Sequence, residues 1–320
     1  MEVDDIYIRT DMSVPKKITP IHTVYKSNVN NVTHNDVKTK LKNICKGSKA
    51  LILQTLYDTG DNSEDDSDSL EIPTVLDVAN SNHGENLFVA LQKTFDKDTI
   101  CKIEQITKDQ SENPEWFNHR KGRITASNFS SIMSFKFTDC DENYISKRVM
   151  GMSNYIDTPS VNFGKENENV ARQLYFLEYR KSHEKAKLEL SGLHVDEFNP
   201  FMGASPDGLM SCKCCGDGLV EIKCSYMYQN KTPHEACLDH HYQVYLDENN
   251  LVKLKNSSSW YIQIQGQMGV CKKQWCDFIL YTKKGIAVDR IQFDSKLYEK
   301  IVQTSKRFYE KYIVKALLKK

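Results

Sequence analysis

Two short segments constrain this chain more than anything else in it. One is Gly203-Ala-Ser205-Pro-Asp207-Gly208, a strand running into a turn. The other is Leu219-Val-Glu221-Ile-Lys223-Cys224, an apolar run interrupted by one acid and one base. Side chains alternate across a strand, so Glu221 and Lys223 share a face and Ile222 takes the other. If the strands 201–210 and 219–225 form a hairpin through the turn 212–218, Asp207 arrives beside that pair. Two carboxylates drawn to one point repel each other unless a cation lies between them, and oxygen donors suit a hard divalent ion, Mg²⁺ above all. The Ile222 backbone carbonyl is within reach of the same ion. Lys223 adds what a carboxylate cannot: an ammonium that orients a water nucleophile or offsets charge building on a phosphate. Taken alone, the two segments also read as an ordinary Pro-Asp-Gly turn beside a solvated strand face.

Three other segments bear on that choice. In Asn162-Phe-Gly164-Lys165-Glu166-Asn167-Glu168, followed by Arg172, Glu168 and Arg172 are four apart on one helix face. Val170, Leu174 and Leu177 mark the expected buried face of a helix over 163–181. Glu168 is either half of a surface ion pair or a third acid turned toward the carboxylates. In Trp260-Tyr-Ile-Gln263-Ile-Gln265-Gly-Gln267, three amides interrupt an apolar helix over 258–271. Gln263 and Gln267 share a face while Gln265 points away; buried amides need partners, which a metal-bound water or a phosphate would supply. In Trp116-Phe-Asn-His-Arg120-Lys-Gly-Arg123-Ile-Thr125-Ala-Ser127, two arginines and two hydroxyls stand where a turn enters a helix. Such a set can hold a phosphate through charged forks and helix N-terminal amides, or form a solvated basic turn.

The remaining periodicity gives helices over 35–57, 86–110 and 295–320 and strands over 188–195, 276–281 and 286–293. This order, α-β-β-β-α-β-β-α, predicts a central mixed sheet with helices on both sides. Lys+Arg and Asp+Glu are 43 each in 320 residues, which argues against coating nucleic acid by bulk charge but not against binding it in a groove. The distribution is uneven. Residues 296–320 hold eight bases and two acids, with Lys296, Lys300, Arg307, Lys311 and Lys315 at helical spacing, a stripe fit for a phosphate backbone. Residues 58–71 hold seven acids and no base and read as a solvated linker. The expected organisation is a variable extension over 1–80 and a catalytic domain over 81–320. No apolar run is long enough to span a membrane, and the N-terminus has no signal-peptide pattern, so an intracellular protein is expected, in nucleus or cytoplasm.

Taken in order and spacing, these segments resemble the YqaJ viral recombinase family, the branch of the PD-(D/E)XK nucleases that includes phage lambda exonuclease. The likeness rests on Trp116 with Arg120, Ile124-Thr-Ala-Ser127, Gly164-Lys with Glu168-Asn and Ala171-Arg172, Ser205-Pro-Asp207-Gly208, Glu221-Ile-Lys223-Cys224 and Gln263-Ile-Gln265. The resemblance implies an α/β, restriction-endonuclease-like core and a metal-dependent exonuclease acting on linear duplex DNA ends in recombination, repair or a mobile element. It implies Asp207, Glu221 and the Ile222 carbonyl as ligands of two Mg²⁺ or Mn²⁺ ions, with Glu168 adding a ligand directly or through water. It makes Lys223 the group that positions the attacking water, and Glu168 and Gln263 holders of bound waters. Arg120 and Ser127, with Trp116 and Arg123 nearby, would grip a terminal DNA phosphate. A homo-oligomer and a single-strand annealing partner are compatible with it. A DNA-end binder of the same fold that cuts poorly is the first alternative.

A second alternative is a zinc-stabilised interaction protein. Cys212-Lys-Cys214-Cys215, with Cys224 nine residues on, sits in the hairpin between the two acid-bearing strands and is a candidate zinc site of irregular spacing. Reduced thiols in a tight turn are the competing expectation. Cys237 with His240 and His241 is a looser candidate.

Overall fold

The computed structural model describes residues 72–318 apart from 83, 138–142 and 153–157. The expected helix over 35–57 and the acidic linker over 58–71 lie outside the described residues. Helices α1 (Val75–Ser81), α2 (Leu87–Thr94), α3 (Lys97–Ile106) and α4 (Pro114–Arg120) lead to β1 (Ile124–Thr125), α5 (Ala126–Met133) and α6 (Tyr144–Val149). The long helix α7 (Pro159–Ser182) is followed by β2 (Lys187–Glu189), β3 (His194–Val195), β4 (Met202–Ala204), β5 (Gly208–Cys212) and β6 (Gly216–Cys224). After the one-turn helix α8 (Pro233–Ala236) and a small hairpin of β7 (Val244–Leu246) and β8 (Val252–Leu254) come α9 (Ser259–Val270), β9 (Trp275–Thr282) and β10 (Gly285–Gln292). The described chain ends in α10 (Ser295–Phe308), a π-helical segment (Tyr309–Ile313) and α11 (Val314–Leu318).

The central sheet has the order β10-β9-β6-β5-β2, with β6 and β9 parallel and the other pairs antiparallel. Both faces are covered, so β9 is buried along its whole length. Val220 and Ile222 of β6, with Ile279 and Tyr281 of β9, face α7. Leu219 of β6, with Cys276, Phe278 and Leu280 of β9, faces α9. The expected architecture, a central mixed sheet flanked by helices, is what the chain forms. A third core joins the first helices, α5, α6, the β1-β4-β3 sheet and the C-terminal segment. α9 and α5 meet closely at Gly266, where a Cβ would stand 2.1 Å from the Phe129 ring.

Local sequence explains most boundaries. Asn113 caps α4 with Pro114 at its first position, Thr158 caps α7 with Pro159, and Ser258 caps α9. Three expectations are corrected. The helix over 86–110 is two, because Asp96 caps α3 and interrupts the first. The strand over 188–195 is also two: β2 joins the central sheet and β3 the smaller one. Gly192 lies between them, where a Cβ would stand 1.9 Å from the Glu104 carbonyl. The C-terminal helix passes through a π-helical segment. Val75 of α1 is fully buried in the third core.

Candidate nuclease active site

β5 and β6 form the expected hairpin. Gly208 pairs with Val220, and the Asp207 amide donates to the Val220 carbonyl at 3.0 Å. This register sets Asp207 against the next strand, and its Oδ2 accepts from the Ile222 amide at 2.6 Å. Glu221 and Lys223 stand together on the α9 side, with Lys223 Nζ donating to Glu221 Oε1 at 2.6 Å. Ile222 turns into the opposite core.

Glu221 is 1% exposed, and a buried carboxylate must be satisfied. Besides Lys223, it accepts from Gln263 Nε2 at 2.6 Å and from Gln267 Nε2 at 2.7 Å, one amide to each oxygen. Gln263 Oε1 also lies 3.4 Å from Lys223 Nζ. Gln265 points away, donating to the Gln292 carbonyl and accepting from the Asp294 amide. Gln267 lies outside the expected site residues, and its four-residue spacing from Gln263 is the sequence signal for it.

Glu168 stands on α7 beside Arg172, to which it is hydrogen-bonded. Arg172 Nε also donates to the Asp207 carbonyl at 3.0 Å, tying Glu168 to the aspartate. The buried face of α7 is not Val170, Leu174 and Leu177, which are only partly buried. It is Phe163, Ala171, Tyr175 and Tyr179, and in helical steps that stripe runs on to Glu168.

The convergence shifts the titration of these groups. Burial pushes the Asp207 carboxyl well above the usual range, and the Glu221 and Glu168 carboxylates push it further; Lys223 and the Ile222 amide pull the other way. Burial opposes the Lys223 charge, but Glu221 and Asp207 outweigh it and hold the ammonium above its ordinary value. Three acids against two cations, Lys223 and Arg172, leave one formal negative charge in excess, and the donors are hard oxygens. That set fits a divalent cation.

The second cluster adjoins the first. Arg120 lies over the Trp116 ring at 3.9 Å, and its guanidinium donates to Thr125 Oγ1 at 3.2 Å. Thr125 Oγ1 is 3.4 Å from Ser127 Oγ, which is exposed at the N-terminus of α5. The Trp116 indole donates at 2.9 Å to Ser205 Oγ, two residues before Asp207. β1 runs parallel to β4, whose next residue is Ser205, so the strands set the separation of the two clusters. Arg123 does not join them. It is 1% exposed, donates to the His119 and Pro200 carbonyls and lies over the Phe95 ring at 4.2 Å; it is a core arginine.

The cysteines divide likewise. Cys212, Cys214 and Cys215 gather at the tip of the β5–β6 hairpin. Cys224, at the far end of β6, is not with them. Cys237 donates to the Pro233 carbonyl, and Cys237, His240 and His241 form no ligand cluster among the described residues.

The YqaJ-like viral recombinase domain matches residues 115–274, half of the chain, and the protein belongs to that family. Asp207 and Glu221-Ile-Lys223, the segments on which the resemblance rests, lie within the matched residues on adjacent strands. Solved structures similar to the chain include LHK-Exo, an alkaline exonuclease from Laribacter hongkongensis, in complex with dAMP. It is 25% identical over 64% of this chain and 93% of that one, with a TM-score of 0.48. The shutoff and exonuclease protein of Kaposi's sarcoma-associated herpesvirus is 12% identical over 73% of this chain and 75% of that one, with a TM-score of 0.45. A phage-related exonuclease from Haemophilus somnus is 15% identical over 60% and 93%, with a TM-score of 0.39. No match is found among curated protein sequences.

Proposed function

We propose that the protein is a metal-dependent deoxyribonuclease of recombination that degrades duplex DNA from its ends. The observation that carries this is the meeting of Asp207, Glu221 and Lys223 from two paired strands, with Glu168 tied to them through Arg172. Asp207, Glu221, the Ile222 carbonyl and Glu168 are the groups that would hold one or two divalent ions, Mg²⁺ or Mn²⁺. Such ions neutralise charge on the attacking and leaving oxygens of an in-line displacement and supply a nucleophile at neutral pH.

The chain's own groups do the rest. Lys223, kept charged by its neighbours, holds the attacking water or meets negative charge on the phosphate. Gln263 and Gln267 fix both oxygens of Glu221, so the carboxylate cannot rotate away from the site. Arg120, levelled against Trp116, and Ser127 at a helix N-terminus take a terminal phosphate. The Trp116–Ser205 bond sets that phosphate at a fixed reach from Asp207. The exposed bases of α10 extend the track along the backbone.

End-labelled linear duplex and closed circular DNA, with Mg²⁺ or chelator, test this. Nucleotide release from linear DNA alone, abolished by chelator, is expected. Asp207→Ala and Lys223→Ala should each lower cleavage by at least about a hundredfold with folding and DNA binding intact. Binding without release would replace the reading with an end-binding module.

A further inference from the structure

Helix α7 ends at Ser182, and its next residue is drawn to the tip of the β5–β6 hairpin. His183 Nδ1 lies 3.1 Å from Cys214 Sγ, 3.5 Å from Cys215 Sγ and 3.6 Å from Cys212 Sγ. Cys212 and Cys214 sulfurs are 3.4 Å apart, and all four ligand atoms lie within 4.8 Å of one another. With Zn–S near 2.3 Å and Zn–N near 2.0 Å, a tetrahedron has S···S edges of about 3.8 Å and N···S edges of about 3.5 Å. Those four distances lie within about 0.4 Å of these figures, and the two S···S edges to Cys215 are no longer than 4.8 Å.

We propose that His183, Cys212, Cys214 and Cys215 form a structural zinc site that staples helix α7 to the catalytic hairpin. Four protein ligands fill the tetrahedron, so the ion has no open position for chemistry. The surroundings hold the ligands in place. The His183 ring stacks on Tyr179 with centroids 3.8 Å apart and planes at 12°, which aims Nδ1 at the sulfurs. The Cys215 amide donates to Cys212 Sγ at 3.2 Å, and Tyr179 Oη is 3.3 Å from the same sulfur. The Trp275 indole holds the Cys215 carbonyl at 3.2 Å, and the Lys213 amide donates to the Glu184 carbonyl at 3.0 Å. Gly216, at φ +69°, makes the turn that returns the chain into β6.

Position gives the staple its purpose. Five residues of strand, about 17 Å, separate Cys212 from Asp207, and five more separate Gly216 from Glu221. The clamp is therefore remote from the carboxylates, yet it joins the helix bearing Glu168 to both strands bearing the other acids. His183 was not legible in the sequence, since it precedes Cys212 by 29 residues and completes no compact motif.

The test is metal content of the full-length chain purified in zinc-replete, reducing buffer. One zinc per chain is expected, surviving dialysis that removes Mg²⁺ and retained in Asp207→Ala and Cys224→Ser. His183→Ala and Cys214→Ser should cut it at least tenfold. Should those variants fail to fold, cobalt substitution of the wild type decides: a tetrahedral Co²⁺ spectrum with strong thiolate charge transfer supports the site. Zinc content below a tenth per chain overturns it, as does zinc retained in His183→Ala and Cys214→Ser together, or a Cys212–Cys214 disulfide in the metal-free purified chain. Zinc content is read without reference to cleavage, so it stands or falls apart from the nuclease reading.

Discussion

His119 sits one residue before Arg120 in α4 and is completely buried, with neither ring nitrogen hydrogen-bonded. Burial lowers its pKa to about 4, and the Arg123 charge adds to the shift; Glu115 and Asp77 oppose it more weakly. The native ring is therefore neutral at pH values where an unfolded histidine, near 6.5, is already charged. For a base with a depressed native pKa, stability is complete above the unfolded value and is lost as pH falls from there toward the folded one. At pH 5 the unfolded ring is almost wholly protonated and the native ring about one-tenth so, a difference of about 2 kcal/mol. Below pH 4 it approaches about 3 kcal/mol. Urea unfolding of wild type, His119→Leu and His119→Phe at about pH 7.5 and pH 5 isolates this contribution, since other titrating groups are shared. The variants should lose about 2 kcal/mol less than wild type on acidification. Parallel losses in all three proteins would refute the argument and mean that the ring is charged or solvated in the native state. Because α4 carries Arg120, acid should also weaken the preference for phosphorylated ends in wild type.

Gln267→Leu removes one donor from a buried carboxylate and should cost about 1–3 kcal/mol of stability, read by urea unfolding, with reduced cleavage; an unchanged midpoint would mean that Glu221 is satisfied without it. Arg120→Ala should abolish the rate difference between phosphorylated and hydroxyl DNA ends, and Trp116→Phe, which loses the bond to Ser205, should lessen it; equal rates on both ends in wild type would remove the phosphate role. Reversing Lys300 and Arg307 to Glu should lower DNA affinity and flatten its salt dependence; an unaltered slope would leave the stripe merely solvated. Gly218→Ala, whose Cβ would stand 2.3 Å from the Trp275 ring, should be among the more destabilising single changes; wild-type stability would show that the ring can give way.

The hairpin, α9 and the last two strands were legible because their apolar runs are dense and their turns and caps are explicit. What stayed hidden depended on distant partners. The stripe on α7 was misplaced because Tyr175 and Tyr179 outcompete leucines for the interior. Tyr175 Oη donates to buried Asp277 at 2.6 Å, 102 residues on, and Tyr179 Oη lies 3.3 Å from Cys212 Sγ, 33 residues on. Arg123 looked like Arg120 by charge and position; only the fold shows that its carbonyl partners lie inside the molecule. Gln267 was visible on the same helical face as Gln263, but nothing in a single helix says that the opposite strand presents two carboxylate oxygens to be shared.

The parallel pairing of β6 with β9 carries a consequence for synthesis. Between Cys224 and Trp275 the chain makes α8, the β7–β8 hairpin and α9 before β6 gains its second neighbour. A nascent or truncated chain ending before Trp275 leaves the strand of Glu221 and Lys223 with a bare, apolar edge, a template for misassociation. Such a fragment holds every acid of the centre and lacks the strand that seats them, so the ribosome must finish most of the polypeptide before a competent nuclease can exist.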